Sequence, residues 1–261
     1  MKPCRKLLAA AALAAVLAAA PAFAGRNCEA QAPTAINVQR SLELALRTAQ
    51  ALDASGADVV VLARAGQDLG KYGLRWSHLG WAYRDGVQWR VVHKLNSCGS
   101  AVADLHRQGL GEFFMDDLFD YEAAFAVPSA DIQAHLRVLL QDNRRVALLH
   151  TAAYSMVAYP WSQQYQQSNQ WAIETLASAQ EGAATTRQRA QAWLRFKGYE
   201  PTVLRISPLV RLGARMTAAN IAFDDHPNDK RYSDRIETVT VDSVFVWLQR
   251  AGLAQPVQVV R

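Results

Sequence analysis

The chain has 261 residues, of which 28 are basic and 23 acidic, and its pI is about 9.2. The Lys and Arg residues form no cluster that could follow a phosphate backbone, so the basic pI does not indicate nucleic-acid binding. Beyond the N-terminal segment, no stretch approaches the roughly 20 apolar residues that a transmembrane helix requires. We therefore expect a protein that does not span a membrane.

The first 24 residues have the pattern of a secretory signal peptide. Lys2, Arg5 and Lys6 precede an apolar run from Leu7 to Ala20, and the small residues of APAFAG predict cleavage after Ala24. The sequence continues GRNC, so no cysteine directly follows the cleavage site and a lipoprotein anchor is disfavoured. Removing the three basic residues of this segment lowers the formal net charge from +5 to +2. We expect a periplasmic or secreted protein.

Two cysteines, Cys28 and Cys98, remain after cleavage. An even pair in an oxidising compartment predicts one disulfide between them. The alternative is that Cys98 is a reactive thiol near His93. Residues 25–261 contain no Gly/Ser/Pro-rich linker and no internal repeat, and they are numerous enough for one domain with a sizeable core.

The remaining pattern predicts a mixture of helices and strands. In chain order we expect a helix over 37–55, a buried strand over 57–66, a hairpin over 77–95 that turns at Asp85-Gly86, a strand over 121–129, helices over 130–140, 165–180 and 185–198, and a strand followed by a helix over 235–252. Short strands grouped between helices predict an α+β domain, with a small antiparallel sheet packed by helices.

Two histidines, His78 and His93, stand on the two strands of the predicted hairpin. We expect them to be cross-strand neighbours. An imidazole held by a second polar group has a fixed tautomer, as a general base requires. Two core histidines that only satisfy hydrogen bonds would give the same pattern, so both interpretations stay open.

Ser168 precedes a helical stripe of Trp171, Ala172, Leu176 and Ala179, which places it at the N-cap or in the first turn. The simpler interpretation is a capping serine that satisfies free backbone amides. The alternative is a nucleophile at a helix N-terminus, where backbone N–H groups could stabilise an oxyanion.

The order of these segments resembles the circularly permuted papain-like fold of the NlpC-type and lecithin retinol acyltransferase-like proteins. The resemblance covers two blocks, 58–95 and 165–177. His78 and Gly80 match the family's H-x-G strand, and His93 matches the polar group on the following strand. The resemblance implies a catalytic cleft formed by Ser168, His78 and His93, with a lining that includes Trp76, Trp81, Asn169, Gln170 and Trp171.

The nucleophile position departs from that family, because the segment QSNQW places Ser168 where the family has a cysteine. A thiol can be held as a thiolate beside an imidazolium, whereas a serine hydroxyl needs the histidine as a general base during attack. Two classes of function follow. One is a serine-dependent amidase or acyl hydrolase that acts slowly on a cell-envelope component. The other is a catalytically inactive module that binds an envelope small molecule or peptide, or has a structural role.

Over most of its length the chain also resembles an uncharacterised family of exported bacterial proteins, domain of unknown function 2145. The similarity rests on ARAGQDLGKYGLRWSHLGWAY, HRQGLGEFFMDDLFDYEA, YSMVAYPWSQQYQQSNQWAIE and FDDHP. This resemblance implies no particular activity.

An acidic loop, FDDHPNDKRYSDR, contains Asp224, Asp225 and His226. It lacks the ligand spacing of an EF-hand, and it has too few His or Cys residues for a typical zinc site. We expect a solvated turn rather than a metal site, and we predict no cofactor.

Overall fold

The computed structural model describes residues 33–116, 118–180 and 184–261. The predicted signal peptide, residues 1–24, and Cys28 lie outside these ranges. Within them the chain forms nine α-helices, eight strands and one short 3₁₀ turn. The helices are α1 Ala35–Ala54, α2 Leu110–Phe114, α3 Ala130–Gln141, α4 Asn143–Ala147, α5 Ser168–Ser178, α6 Arg187–Phe196, α7 Pro208–Thr217, α8 Asn228–Tyr232 and α9 Val241–Arg250. The strands are β1 Val59–Ala65, β2 His78–Asp85, β3 Gln88–Asn96, β4 Ala103–Gly109, β5 Asp120–Ala126, β6 Thr202–Arg205, β7 Arg235–Thr238 and β8 Gln258–Val260.

Six strands form one antiparallel sheet in the order β4-β3-β2-β1-β5-β8. All seven residues of β1 are buried, because helices cover both faces of the sheet at this strand. The predicted α+β class is therefore confirmed. A separate pair, β6 and β7, is also antiparallel and shares a small core with Val157 and Phe223.

Side chains alternate between the two faces of the six-stranded sheet, and each face has its own core. We call one side the α5 face, where Val61, Leu79 and Trp81 pack with residues of α3, α5 and α9. The other side is the α1 face, where Leu62 and Ala82 pack with residues of α1 and α2. Any polar side chain on β1, β2 or β3 is thus assigned to a face by its position in the strand.

Local signals explain the elements that the sequence predicted. Thr34 caps α1 by accepting a hydrogen bond from the Asn37 amide at 3.3 Å, and α1 ends just before Gly56, whose φ is +67°. The hairpin turns after Asp85, at Gly86, where φ is +61°. A left-handed backbone favours glycine at both positions.

Among the elements that the sequence did not predict, two strands lie at the edges of the sheet. Strand β4 is an edge strand of polar composition, ADLHRQG, and β8 closes the opposite edge with three residues. Neither has the apolar alternation that identifies a half-buried strand. Within the described ranges no helix combines the length and apolar character needed to cross a bilayer.

Candidate functional site

The two histidines lie on the α1 face of the sheet. His78 pairs with Arg64 in the β1–β2 register, and both share this face with Ala82 and Leu62. Gly80 lies two residues after His78 on β2, on the same face of the sheet. A Cβ atom at this position would be 2.9 Å from the Cβ of His93 and 2.8 Å from Cγ1 of Val91. The glycine therefore lets β2 and β3 approach closely at the point where the imidazoles meet.

His78 and His93 belong to a directed hydrogen-bond relay. Gln108 Nε2 donates to Glu112 Oε1 at 3.0 Å, which sets the orientation of the Gln108 amide. His93 Nε2 then donates to Gln108 Oε1 at 2.7 Å, so His93 Nδ1 accepts from His78 Nε2 at 2.8 Å. The relay leaves Nδ1 of His78 as its terminal acceptor. The predicted cross-strand contact of the histidines is confirmed.

Burial and a neighbouring cation keep both imidazoles neutral. His93 is fully buried and His78 is 9% exposed. Burial, followed by the charge of Arg64, lowers the pKa of His93 to about 3 and holds that of His78 well below its ordinary value. A group with so low a pKa accepts a proton poorly at neutral pH, so the relay is ill suited to general base catalysis.

The cation beside the two histidines is Arg64. Its guanidinium donates to the Phe113 carbonyl, pairs with Asp116 and lies 4.6 Å from the centre of the Phe113 ring. Together with the bond from Gln108 to Glu112, these contacts hold α2 against the sheet. The polar side chains on the α1 face thus have a structural role.

Ser168 begins a helix that packs on the α5 face of the sheet, whereas the histidines lie on the α1 face. It is the first residue of α5, a helix whose Trp171, Ala172 and Ile173 belong to the core of the α5 face. Burial raises the pKa of the Tyr154 hydroxyl, and the Ser168 side chain partly offsets that shift. Among the hydrogen bonds of the described residues, none joins Ser168 to His78 or His93. The triad predicted from the family resemblance stays a prediction: His78 points to the α1 face, and it is its neighbour Leu79 that faces α5.

The start of α5 is nevertheless docked on strand β2. Asn169 Oδ1 accepts from the Leu79 amide at 3.1 Å, and its Nδ2 donates to the Val239 carbonyl at 3.2 Å. Gln167 and Gln170 form a capping box, so Ser168 is not the N-cap. The predicted cleft lining is largely core: Trp171 is fully buried, and the remaining members are nearly so, namely Trp76, Trp81, Asn169 and Gln170.

A second polar network, which the sequence did not predict, is buried under α5. Glu174 is fully buried and pairs with Arg187 at 2.8 Å, and it also accepts from Gln166 and Gln191. Lys94 donates to Gln166 Oε1 at 2.9 Å and to the Thr151 carbonyl. Burial, followed by the charge of Arg187, lowers the pKa of Lys94 to about 7. The only sequence signal for this network was Glu174 itself, a charged residue inside a helix of mostly apolar and small residues.

The acidic loop satisfies its own polar groups. His226 Nδ1 lies 2.9 Å from Asp225 Oδ1, and its Nε2 lies 2.9 Å from the Glu237 carbonyl. His226 thus joins Asp225 to the backbone of β7. Asp225 also accepts from the Tyr159 amide at 2.7 Å. Among the described residues, no group of three or more His, Cys, Asp or Glu side chains is placed to hold a metal ion.

Cys98 is disulfide-bonded. A reactive free thiol at this position is thereby excluded in this state of the protein. Its predicted partner, Cys28, lies outside the described residues, and the pairing stays a prediction.

Comparison with known proteins identifies the family. Residues 51–248 match the family described as "Uncharacterized protein conserved in bacteria (DUF2145)". The chain belongs to this family. The membership that the sequence motifs predicted is confirmed, and the match contains both polar networks and the start of α5. No curated protein and no solved structure matches the chain.

Proposed function

We propose that this DUF2145 protein is exported and serves in the cell envelope as a non-catalytic binding or structural module. The observation that carries the proposal is that His78 and His93 are buried against α2 on the α1 face, whereas α5, which begins at Ser168, packs on the other face. A hydroxyl nucleophile needs a base within roughly 3 Å or one water away, and in the part of the chain that the structure describes no hydrogen bond joins Ser168 to an imidazole. The neutral, low-pKa imidazoles also argue against acid–base chemistry on the α1 face.

Export is supported by two independent features. The N-terminal 24 residues have the charge and apolar pattern of a signal peptide. The disulfide at Cys98 suits an oxidising compartment such as the periplasm or the exterior of the cell.

A papain-like ancestry remains part of this proposal. Its support is the chain order and the docking of the start of α5 on β2 through Asn169 and Leu79. The loss of the cysteine at Ser168 and the turning of His78 to the α1 face are together what an inactive relative would have.

A surface recess of about 290 Å³ supports a binding role. Charged and polar side chains surround it: Glu200, Thr202, Asp242, Ser243 and Arg250. Pro201 and Val246 add apolar contact area. Both signs of charge around a small recess suit a zwitterionic ligand, such as a peptide or amino sugar fragment of the envelope.

The test combines a reactivity assay with a binding assay. A fluorophosphonate probe should not label the protein at Ser168, and Ser168→Cys should not react with a thiol probe, because the side chain is buried. The parent should sediment with isolated peptidoglycan, and the double variant Glu200→Gln/Arg250→Gln should sediment less.

The two assays fail in distinguishable ways. Labelling at Ser168 that is lost in Ser168→Ala would establish a serine hydrolase and overturn the non-catalytic proposal. Equal sedimentation of the parent and the double variant would remove the recess as the binding site, and no sedimentation of the parent would leave only the structural role.

A further inference from the structure

Helix α7 presents its apolar side to solvent, the reverse of an ordinary surface helix. Leu209 is 82% exposed, Leu212 58% and Met216 78%, whereas Ala214 is buried. With about 100° per residue, the three exposed side chains fall within about 60° of one another and Ala214 lies roughly opposite. The stripe formed by Leu209, Leu212 and Met216 therefore faces away from the protein.

The orientation of this helix is fixed by its inner side. Arg211 donates to the Arg231 carbonyl and to Asp234 Oδ1, the latter at 2.9 Å. Ala214 packs inward on the same side. Pro208 stands in the first turn, where its missing N–H costs no helical hydrogen bond. The outward direction of the apolar stripe thus follows from how α7 is anchored.

The segment that carries the stripe is basic. Residues 201–223 contain no Asp or Glu and three Arg residues. Arg211 is paired with Asp234, but Arg205 and Arg215 are exposed and form no salt bridge with the described residues. On α8, which Arg211 links to α7, Tyr232 is 71% exposed. Apolar side chains, arginines and an aromatic residue together are typical of a helix that lies in a membrane interface.

We propose that α7 binds the headgroup region of an anionic lipid bilayer, with Leu209, Leu212 and Met216 inserted and Arg205 and Arg215 contacting lipid phosphates. Charge complementarity selects this occupant. A second copy related by a two-fold axis would bring the same unpaired arginines towards one another, which is unfavourable. The inference goes beyond the proposed function, since it rests on α7 with Arg205 and Tyr232 and concerns a different surface from the recess.

The experiment is vesicle flotation with the chain from Gly25 onward. All described helices and strands begin after residue 32, so this form keeps them. It lacks the apolar run at residues 7–20, which would itself bind lipid. The parent should bind phosphatidylcholine vesicles that contain phosphatidylglycerol, bind pure phosphatidylcholine weakly, and be released by salt. The variant Leu209→Ser/Leu212→Ser/Met216→Ser should lose at least about tenfold in partition coefficient, because it removes the inserted apolar area.

A matched control separates α7 from general surface hydrophobicity. Leu46→Ser/Val87→Ser/Val138→Ser replaces three apolar residues of comparable exposure elsewhere and should bind as the parent does. Arg205→Gln/Arg215→Gln should weaken binding to anionic vesicles only. Circular dichroism verifies that each variant is folded.

Three outcomes would overturn the proposal. They are failure of the parent to bind anionic vesicles, equal loss in the α7 and control variants, and a parent dimer that the α7 variant dissociates in sedimentation analysis. The last result would assign the stripe to self-association instead.

Discussion

His93 and Lys94 are consecutive residues of β3, both fully buried, and the two faces of the sheet accommodate their polar groups differently. On the α1 face, His93 is neutral and sits in a relay of side-chain hydrogen bonds beside Arg64. On the α5 face, Lys94 joins a network that contains a buried ion pair, Glu174 with Arg187. An imidazole avoids most of the cost of burial by losing its proton, whereas an arginine keeps its charge and needs a full set of partners.

Both networks have a structural role. Each network fixes a helix on the sheet: the α1-face row holds α2 through Arg64, and the α5-face network joins α5 and α6 through Glu174 and Arg187. Within the described ranges, no hydrogen bond joins a serine or cysteine side chain to His78, His93 or Lys94. Buried polar networks can therefore resemble an active site in sequence while serving the fold.

The largest expected effect is on the α5 face. Glu174→Gln keeps the shape of the side chain but leaves Arg187 buried without its counter-charge, so we expect a loss of about 3–5 kcal/mol in the free energy of unfolding. Urea denaturation followed by tryptophan fluorescence measures it. Glu200→Gln, which breaks the exposed pair with Arg250, is the control and should cost less than about 1 kcal/mol. Equal effects would show that the buried charges are not what stabilises this face.

The two faces should also titrate in different pH ranges. The pKa of His93 is about 3 when folded against 6.5 ordinarily, so between these values the unfolded chain binds more protons and stability falls as the pH is lowered. Lys94, with a pKa of about 7 against 10.5, makes stability rise with pH from about 7 upward. Each group contributes a slope of up to about 1.4 kcal/mol per pH unit in its range.

Single substitutions test which residue causes each slope of stability against pH. His93→Leu should flatten the acidic limb of a stability–pH curve measured by urea denaturation, and Lys94→Met should flatten the alkaline limb. An unchanged acidic slope in His93→Leu would mean that other groups control acid denaturation.

The smallest expected effect on stability is at Gly80, which lies beside His93 of the neighbouring strand. Gly80→Ala would place a Cβ atom within 2.8–3.0 Å of Val91, His93 and the Val92 carbonyl, so we expect a loss of about 1–3 kcal/mol. Gly109→Ala is the matched control: nothing lies within 4 Å of its added Cβ, and its φ of −76° suits alanine. We expect that change to be neutral or slightly stabilising. Chemical denaturation of both variants decides the comparison, and similar values for the two would contradict close strand packing at Gly80.

The sequence by itself determined the family, the α+β class and the principal helices and strands, because periodicity, caps and turn glycines act over a few residues. It also identified the contact of His78 with His93, since a tight hairpin turn determines which residues face each other. The same local signals placed Ser168 at the start of a helix. They did not show that Gln167 and Gln170, rather than Ser168, cap this helix.

Only the tertiary structure decided which face of the sheet each group occupies. A one-residue difference in a strand reverses the direction of a side chain, so His78 faces α2 while Leu79 faces α5, and no pattern within the hairpin indicates on which side a helix 90 residues later will pack. The partners of Glu174 and Lys94 come from α6 and from the loop between α4 and α5, which are distant in sequence. The outward stripe of α7 likewise depends on Arg211 and Ala214 meeting the rest of the protein, because an amphipathic sequence predicts a helix with an apolar side but not the side that is buried.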